Sequence, residues 1–388
     1  MKNKTENIVV TVCFLVIIYG FFVFNLITPS QDLSFSERRR LTQFPELSIE
    51  KVLNASFMKG FNDYTADQFP LRDEWRGLKS FFDLYILGKY DVDGNFAIGD
   101  MLFKTEYPLS ENNIRRLCSI INYCDAQFLD GLNVYYAIIP DKNYYLKDTR
   151  YLTLDYDALN GIVRENLNAN IRYIDLYDTL TLDSYFLSDS HWKQEELGSV
   201  VAALSKGMGV DIPFDISQYT QQSYSPFYGV FHGQLALNTR PDDLIYLVND
   251  TTQNAVVVSL EKPGQDFAVY DETALGGMDS YYLFVLGPAA VVTITNPSGT
   301  TGRELIIFRD SFASSLAPLM LEGYDSITLI DLRYIRPDLL GNPDLVGDYV
   351  DFTDKDVLFL FSSTIFNNSN SVKNAQDVEP FSAEPLLN

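Results

Sequence analysis

Four short runs of this chain carry apolar residues at positions belonging to both faces of a strand, and they most narrow the folds open to it. They are residues 133–139 (Asn-Val-Tyr-Tyr-Ala-Ile-Ile), 303–308, 325–330 and 356–361. A strand that is apolar at nearly every position has both faces buried, as in a parallel sheet covered by helices. Between these runs lie segments with helical spacing. Residues 111–129 place Ile114, Leu117, Ile121, Cys124 and Phe128 on one face, and residues 156–167, 193–206 and 311–321 also read as helices. Residues 172–176 add a further strand. Helices alternating with buried strands predict an α/β architecture, a mostly parallel sheet flanked by helices. Residues of about 212–302 differ, being rich in Tyr, Thr, Val and Gly with several short strand candidates. They are expected to form a β-rich insertion.

Residues 8–27 form one uncharged apolar stretch, preceded by Lys2 and Lys4. At about 1.5 Å per residue, such a helix matches the roughly 30 Å hydrocarbon core of a bilayer. No small-x-small cleavage pattern follows in Thr28-Pro29-Ser30, so the stretch reads as an uncleaved anchor with residues 1–7 inside and the body outside. A cleaved signal peptide is the alternative. The triple arginine at 38–40, some way beyond the segment, runs against a clean charge rule. Residues 28–95 are expected to form a juxtamembrane connector and a helical region that breaks at Pro70, with a hairpin around 91–103. The α/β domain is expected over 96–366, and residues 367–388 as a polar, disordered tail.

The formal net charge of −23 argues against a nucleic-acid partner, since phosphate binding needs basic patches. Of the three cysteines, Cys118 and Cys124 lie six apart on one expected helix. That spacing points them to different faces, so no disulfide framework or zinc spacing is present. There is no phosphate loop, dinucleotide fingerprint or His-Glu-x-x-His, and no cofactor or metal is expected. The Asp-rich stretches 241–243 and 351–356 lack calcium-loop spacing and read as solvated loops.

The chain has two histidines, His191 and His232. His191 stands in Asp189-Ser190-His191-Trp192, and Ser311 follows the apolar run 303–308 at a strand-to-helix junction. In an open α/β sheet such a junction is the carboxyl edge, where ligands bind. There the Ser311 N–H and the helix dipole favour a developing oxyanion, although an N-cap serine occupies the same kind of position. A serine hydroxyl needs a base, and an imidazole needs a carboxylate to fix its tautomer. Ser311, His191 and Asp189 supply the three types. His232, in a turn of the β-rich stretch, is the spare base and reads as structural.

Ordered pieces along the chain carry a resemblance. They are Ser36-Glu37 with Arg40-Leu41 and Pro45, Phe69-Pro70-Leu71-Arg72-Asp73, Pro140-Asp141-Lys142, Asp189-Ser190-His191-Trp192, Asp310-Ser311-Phe312, and Asp331-Leu332-Arg333-Tyr334. Together they resemble the DHHW family of Gram-positive envelope proteins, which is related to the alginate O-acetyltransferase proteins and has an SGNH-hydrolase-like fold. The resemblance implies Ser311 as nucleophile, His191 as base and Asp189 as orienter, with the Asp-x-His element preceding the serine. It also implies an envelope polysaccharide as acceptor and a separate membrane protein as acyl donor. The family's Asp-His-His-Trp reads Asp-Ser-His-Trp here, and Arg309 stands where a Gly-Asp-Ser block has its glycine. Lys142, Trp192 and Arg309 are the candidates for substrate contact, and Asn143, Gly229 and Asn367 for further oxyanion donors. The function expected is an extracytoplasmic O-acetyltransferase. A carbohydrate esterase with the same site and a non-catalytic glycan-binding or scaffold protein are the alternatives.

Overall fold

Alternation along the apolar strands decides where the main sheet sits. The computed structural model describes residues 2–146, 150–336 and 350–373. Its main sheet has eight strands: β1 (Asn133–Ile139), β2 (Arg172–Ile174), β3 (Val256–Ser259), β4 (Asp266–Phe267), β5 (Val291–Thr295), β6 (Glu304–Arg309), β7 (Ser326–Ile330) and β8 (Asp356–Ser362). They lie in the order β4-β3-β5-β7-β6-β8-β1-β2. The run β7-β6-β8-β1-β2 is parallel throughout.

Successive residues of each buried strand enter opposite cores, because strand side chains alternate between faces. Tyr135, Ala137, Ile139, Leu305, Ile307, Leu358 and Leu360 join a core completed by helices Gly198–Met208 and Ala313–Met320. Val134, Tyr136, Ile138, Ile306, Phe308, Val357, Phe359 and Phe361 join the other, completed by helices Glu111–Phe128 and Tyr156–Asn166. Cys118 and Cys124 are both free and buried in that second core. Burial pushes both thiols up to about 12, so they stay protonated and inert.

The stretch 212–302 departs from the insertion expected of it. Its strands β3, β4 and β5 extend the main sheet, with β5 pairing antiparallel to β7 and to β3. Alternating residues such as Val292 and Ile294 are fully buried in the first core, and strand periodicity is the same whether a strand joins the main sheet or a separate one. Only Thr220–Phe227 and Asp242–Val248 form their own two-stranded sheet. They pack Phe227, Leu244 and Tyr246 against Phe186, Tyr281, Leu283 and Phe284.

The chain divides into two units, Met1–Phe96 with Val230–Thr239, and Ala97–Gly229 with Arg240–Asn388. The first contains helix Lys4–Ile27, which is long and apolar enough to cross a membrane. It also brings two pieces of the sequence pattern together. Glu37 pairs with Arg72, and Ser36 donates to Asp73 at 2.5 Å. Beside them Arg39 meets Asp67 at 2.6 Å and holds its carboxyl well below the usual carboxylate range. The hairpin expected around 91–103 corresponds to strands Asn95–Ile98 and Met101–Lys104. Of the tail expected at 367–388, residues 374–388 lie outside the described residues, while Asn367 and Ser369 are buried at helix Ser363–Asn367 and turn Ser369–Ser371.

Candidate active site

β6 ends at Arg309, and the chain turns once before helix Ala313–Met320. Asp310 holds that turn. Its carboxylate accepts from the Phe312 N–H at 3.1 Å and from the Ser362 N–H, at the end of β8, at 2.7 Å. Ser311 is thereby presented at the carboxyl edge of two neighbouring parallel strands, partly open to solvent.

Residues 185–192 form a second structure at the same edge, a tight hairpin loop. Tyr185 bridges Trp192, and the Phe186 N–H donates to the His191 carbonyl at 3.1 Å. Asp189 and His191 sit near the tip. One Asp189 oxygen accepts from the His191 N–H at 3.1 Å and lies 2.6 Å from His191 Nδ1. His191 Nε2 lies 2.7 Å from Ser311 Oγ. Three residues, with 120 positions between His191 and Ser311, thus form one Ser–His–Asp hydrogen-bond relay. The Asp189 side chain is fully buried while that of His191 keeps 13 % of its surface. The carboxylate is sealed from water, and the imidazole edge remains within reach of a ligand.

Several groups hold this arrangement. The Tyr281 ring stacks on the imidazole at 3.9 Å, and the Phe312 ring flanks it at 4.9 Å. Trp192 Nε1–H donates to the Phe312 carbonyl at 3.1 Å and to Ser315 Oγ at 2.9 Å, tying the histidine loop to the serine helix. Lys142 Nζ donates to the carbonyls of Phe186, Leu187 and Asp189 at 3.2, 3.3 and 2.8 Å. From the other side Asp242 accepts from the Leu187 N–H, the Ser188 N–H and Ser188 Oγ at 2.8, 3.1 and 3.0 Å.

The three candidates for substrate contact are therefore placed differently from the sequence reading. Lys142, Trp192 and Arg309 are all buried. Lys142 and Trp192 bind the loop from within. Arg309 donates to Ser314 Oγ at 2.7 Å and to the Gly287 carbonyl at 3.2 Å, beneath the turn that carries Ser311. Their long or bulky side chains fill the space under the site, which is why they do not line it. The three candidate oxyanion donors are also engaged elsewhere. Asn143 Nδ2 donates to the Lys104 carbonyl, the Gly229 N–H donates to Ser188 Oγ, and Asn367 Nδ2 donates to Glu106 and Pro108 carbonyls. His232 belongs to the other unit, where its Nδ1 lies 3.2 Å from Thr239 Oγ1.

Two residues of the site had little readable signal. Tyr281 is one of 25 tyrosines, none marked by spacing. Asp242 lay in a stretch read as a solvated loop, yet it is buried. The hint lay in Pro241 and the strand that follows, which make an inward-facing carboxylate at a strand start possible, but nothing local named its partner.

Gly229 has a function that only the packing reveals. A Cβ there would stand 2.3 Å from the Asp189 Cβ and 2.5 Å from the Ser188 carbonyl oxygen. Gly229→Ala is expected to push the loop out of register and to lower any Ser311-dependent rate by about 10- to 100-fold, since misplacement by about 1 Å carries that cost. Steady-state kinetics beside a thermal melt check this, and an unchanged rate would show that the loop has room to give.

No family model and no curated protein matches this chain. Solved structures do. A DHHW family protein from Eubacterium siraeum aligns over 72 % of this chain and 92 % of its own, with a TM-score of 0.58 at 19 % identity. The chain shares the fold of that protein. PatB1 of Bacillus cereus aligns over 71 % of this chain and 97 % of its own, with a TM-score of 0.56 at 16 % identity. PatB1 has also been solved with a sulfonyl adduct, at a TM-score of 0.55 and 15 % identity. The serine that replaces the first histidine of Asp-His-His-Trp, Ser190, lies beside Asp189 with Oγ 3.4 Å from its carboxylate. The relay to Ser311 is complete without a histidine at that position.

Proposed function

We propose that this chain is a membrane-anchored serine acyl-enzyme that passes an acetyl group to a hydroxyl of a cell-envelope polysaccharide. The observation that carries the reading is the relay in which His191 lies 2.7 Å from Ser311 Oγ and 2.6 Å from Asp189. His191 Nε2 takes the Ser311 proton as Oγ attacks the acetyl carbonyl of the donor. The tetrahedral oxyanion forms over the start of helix Ala313–Met320, where the Ser311 N–H and the helix dipole stabilise it. Collapse breaks the donor's ester bond, and the leaving oxygen takes the proton back from His191. An acceptor hydroxyl then gives its proton to His191, attacks the acetyl-serine carbonyl, and releases Ser311 with its proton restored. Asp189 stabilises the imidazolium that exists between these transfers.

Helix Lys4–Ile27 anchors the chain, and the residues that follow it stand outside the cell, where envelope glycan is found. A separate membrane protein supplies the acetyl group in this reading. Hydrolysis is the second reading, favoured by the part exposure of both Ser311 and His191. Water then replaces the sugar hydroxyl in the second half, since both outcomes share one covalent intermediate.

The test is intact-mass and peptide mapping after incubation of the chain with an activated acetyl ester and, separately, with a sulfonyl fluoride. The sulfonyl adduct of PatB1 motivates the second probe, because a sulfonylated serine has no easy deacylation step. One adduct on the peptide carrying Ser311, absent in Ser311→Ala, is the expected result. No adduct on folded protein would replace this reading with a glycan-binding or scaffold protein. Transfer to an added oligosaccharide, against release of free acetate, separates the two enzymatic outcomes.

A further inference from the structure

The helix Arg72–Phe81 and the π-helical turn Phe82–Ile86 that continues it are inside out for a water-soluble protein. A helix at a protein surface normally turns its apolar stripe inward. Here Trp75, Leu78 and Phe82 fall within one stripe about 60° wide at 3.6 residues per turn, with Leu71 just before the helix and Tyr85 and Ile86 on the π-helical turn that follows. All six are between 44 and 59 % exposed. The polar side faces inward instead. Ser80 and Asp83 are buried, and Arg76 donates to the Gly233 and Gln234 carbonyls at 2.9 and 3.0 Å. Gly77 lies so close to the Ala236 carbonyl oxygen that a Cβ would stand 2.3 Å from it. The helix is therefore docked by its polar face, and its apolar face is left outward by construction.

What covers that face is indicated by its neighbour. Trp75 meets Phe21 of helix Lys4–Ile27 with ring centroids 5.8 Å apart, and Phe69 stacks on Phe21 at 5.7 Å. Asn25 Nδ2, one turn further on, reaches the Gln68 carbonyl at 3.5 Å. Phe21 lies six residues before Ile27, about 9 Å back along the helix axis. If helix Lys4–Ile27 spans a bilayer, the rings packed against Phe21 lie at the depth where interfacial helices bury their apolar face, about 5–10 Å into the boundary of headgroups and acyl chains. Trp and Tyr are the residues favoured at that level.

We propose that residues 71–86 form a second membrane contact, lying in the interface of the leaflet at which helix Lys4–Ile27 ends. The occupant of the apolar face is lipid, because the face is continuous with a lipid-exposed helix through the Phe21–Trp75 contact. The inference rests on the anchor reading above. Its consequence is that the first unit is held against the bilayer along two lines, so that it does not swing on a single tether.

The chain has two tryptophans, Trp75 and the fully buried Trp192. The experiment reconstitutes the full chain into phosphatidylcholine vesicles, plain or brominated at shallow or deep acyl positions, and reads tryptophan emission. Shallow bromines are expected to quench the wild type about twofold relative to plain vesicles, with deep bromines quenching less. Trp75→Phe, at an exposed site, is expected to remove the quenched component. Equal emission in plain and brominated vesicles, or quenching that survives Trp75→Phe, overturns the proposal. Flotation of the same samples separates the two ideas. Protein that floats without Trp75 quenching rejects the surface contact alone, and protein that does not float rejects the anchor and the contact together.

Discussion

Ser311→Ala is expected to lower kcat/KM for an activated acetyl ester by about 10³- to 10⁶-fold, the range seen when a nucleophilic serine is removed from a relay of this type. The fold should survive the change. Ser311 sits at the surface end of the turn, where its hydroxyl is bonded to His191. The turn itself is held by Asp310 through the Phe312 and Ser362 N–H groups. Removing one part-exposed hydroxyl costs about 1 kcal/mol or less of stability. The measurement is initial rate against ester concentration for both proteins, beside urea melts. A large loss of rate at unchanged stability supports a covalent serine. A wild type no faster than Ser311→Ala would show that the relay is geometry without chemistry.

Lys142→Met is expected to have the largest effect on stability and a second, smaller one on rate. Below a pH of about 7 the side chain is an ammonium with three N–H donors, one for each of the three carbonyls, and above it the neutral amine keeps two. Methionine fills a similar volume and supplies none. The Leu187 carbonyl keeps the Leu102 N–H at 2.8 Å, while the Phe186 and Asp189 carbonyls lose the Lys142 donor; at about 1–3 kcal/mol for each buried carbonyl left unsatisfied, a loss of roughly 2 kcal/mol or more is expected in a urea melt. The same loop carries Asp189 and His191, so kcat should also fall, by about 10- to 100-fold, with KM moving less. Wild-type stability and kcat in Lys142→Met would mean that Asp242 alone suffices to hold the loop.

The pH dependence supplies an independent check. Burial pushes the Lys142 ammonium down to about 7, against the opposing pull of the Asp189 and Asp242 carboxylates. In the unfolded chain the group keeps its proton into the ordinary lysine range. Between these two values the unfolded state holds more protons, so the contribution of Lys142 makes stability rise with pH across that window. Lys142→Met should remove that part of the slope, as read from urea melts at a series of pH values.

Much of the site was legible in the sequence because its chemistry is carried by rare residue types in local patterns. Two histidines leave few ways to build a base, and Asp189 and His191 are close enough in sequence to share one loop. Ser311 was marked by the change from a strand run to a helix run. The supporting residues were not legible. Lys142, Trp192 and Arg309 are polar or bulky residues next to recognisable pieces, and sequence has no means of telling a side chain that lines a site from one that fills the space beneath it. Tyr281 and Asp242 come from a stretch whose short strands have the same period in any sheet they join.

By itself the sequence determined the strand-and-helix alternation, the burial of both faces of the parallel strands, and the apolar length of the N-terminal helix. These are local properties, set by side-chain period and hydrophobicity over a few turns. Tertiary structure alone decided that β3, β4 and β5 extend the main sheet, that Asp189–His191 meets Ser311 across 120 positions, and that helix Arg72–Phe81 shows its apolar side outward. Each of those depends on which distant surface an element finds. A period says that an element has two faces, and only packing says what each face meets.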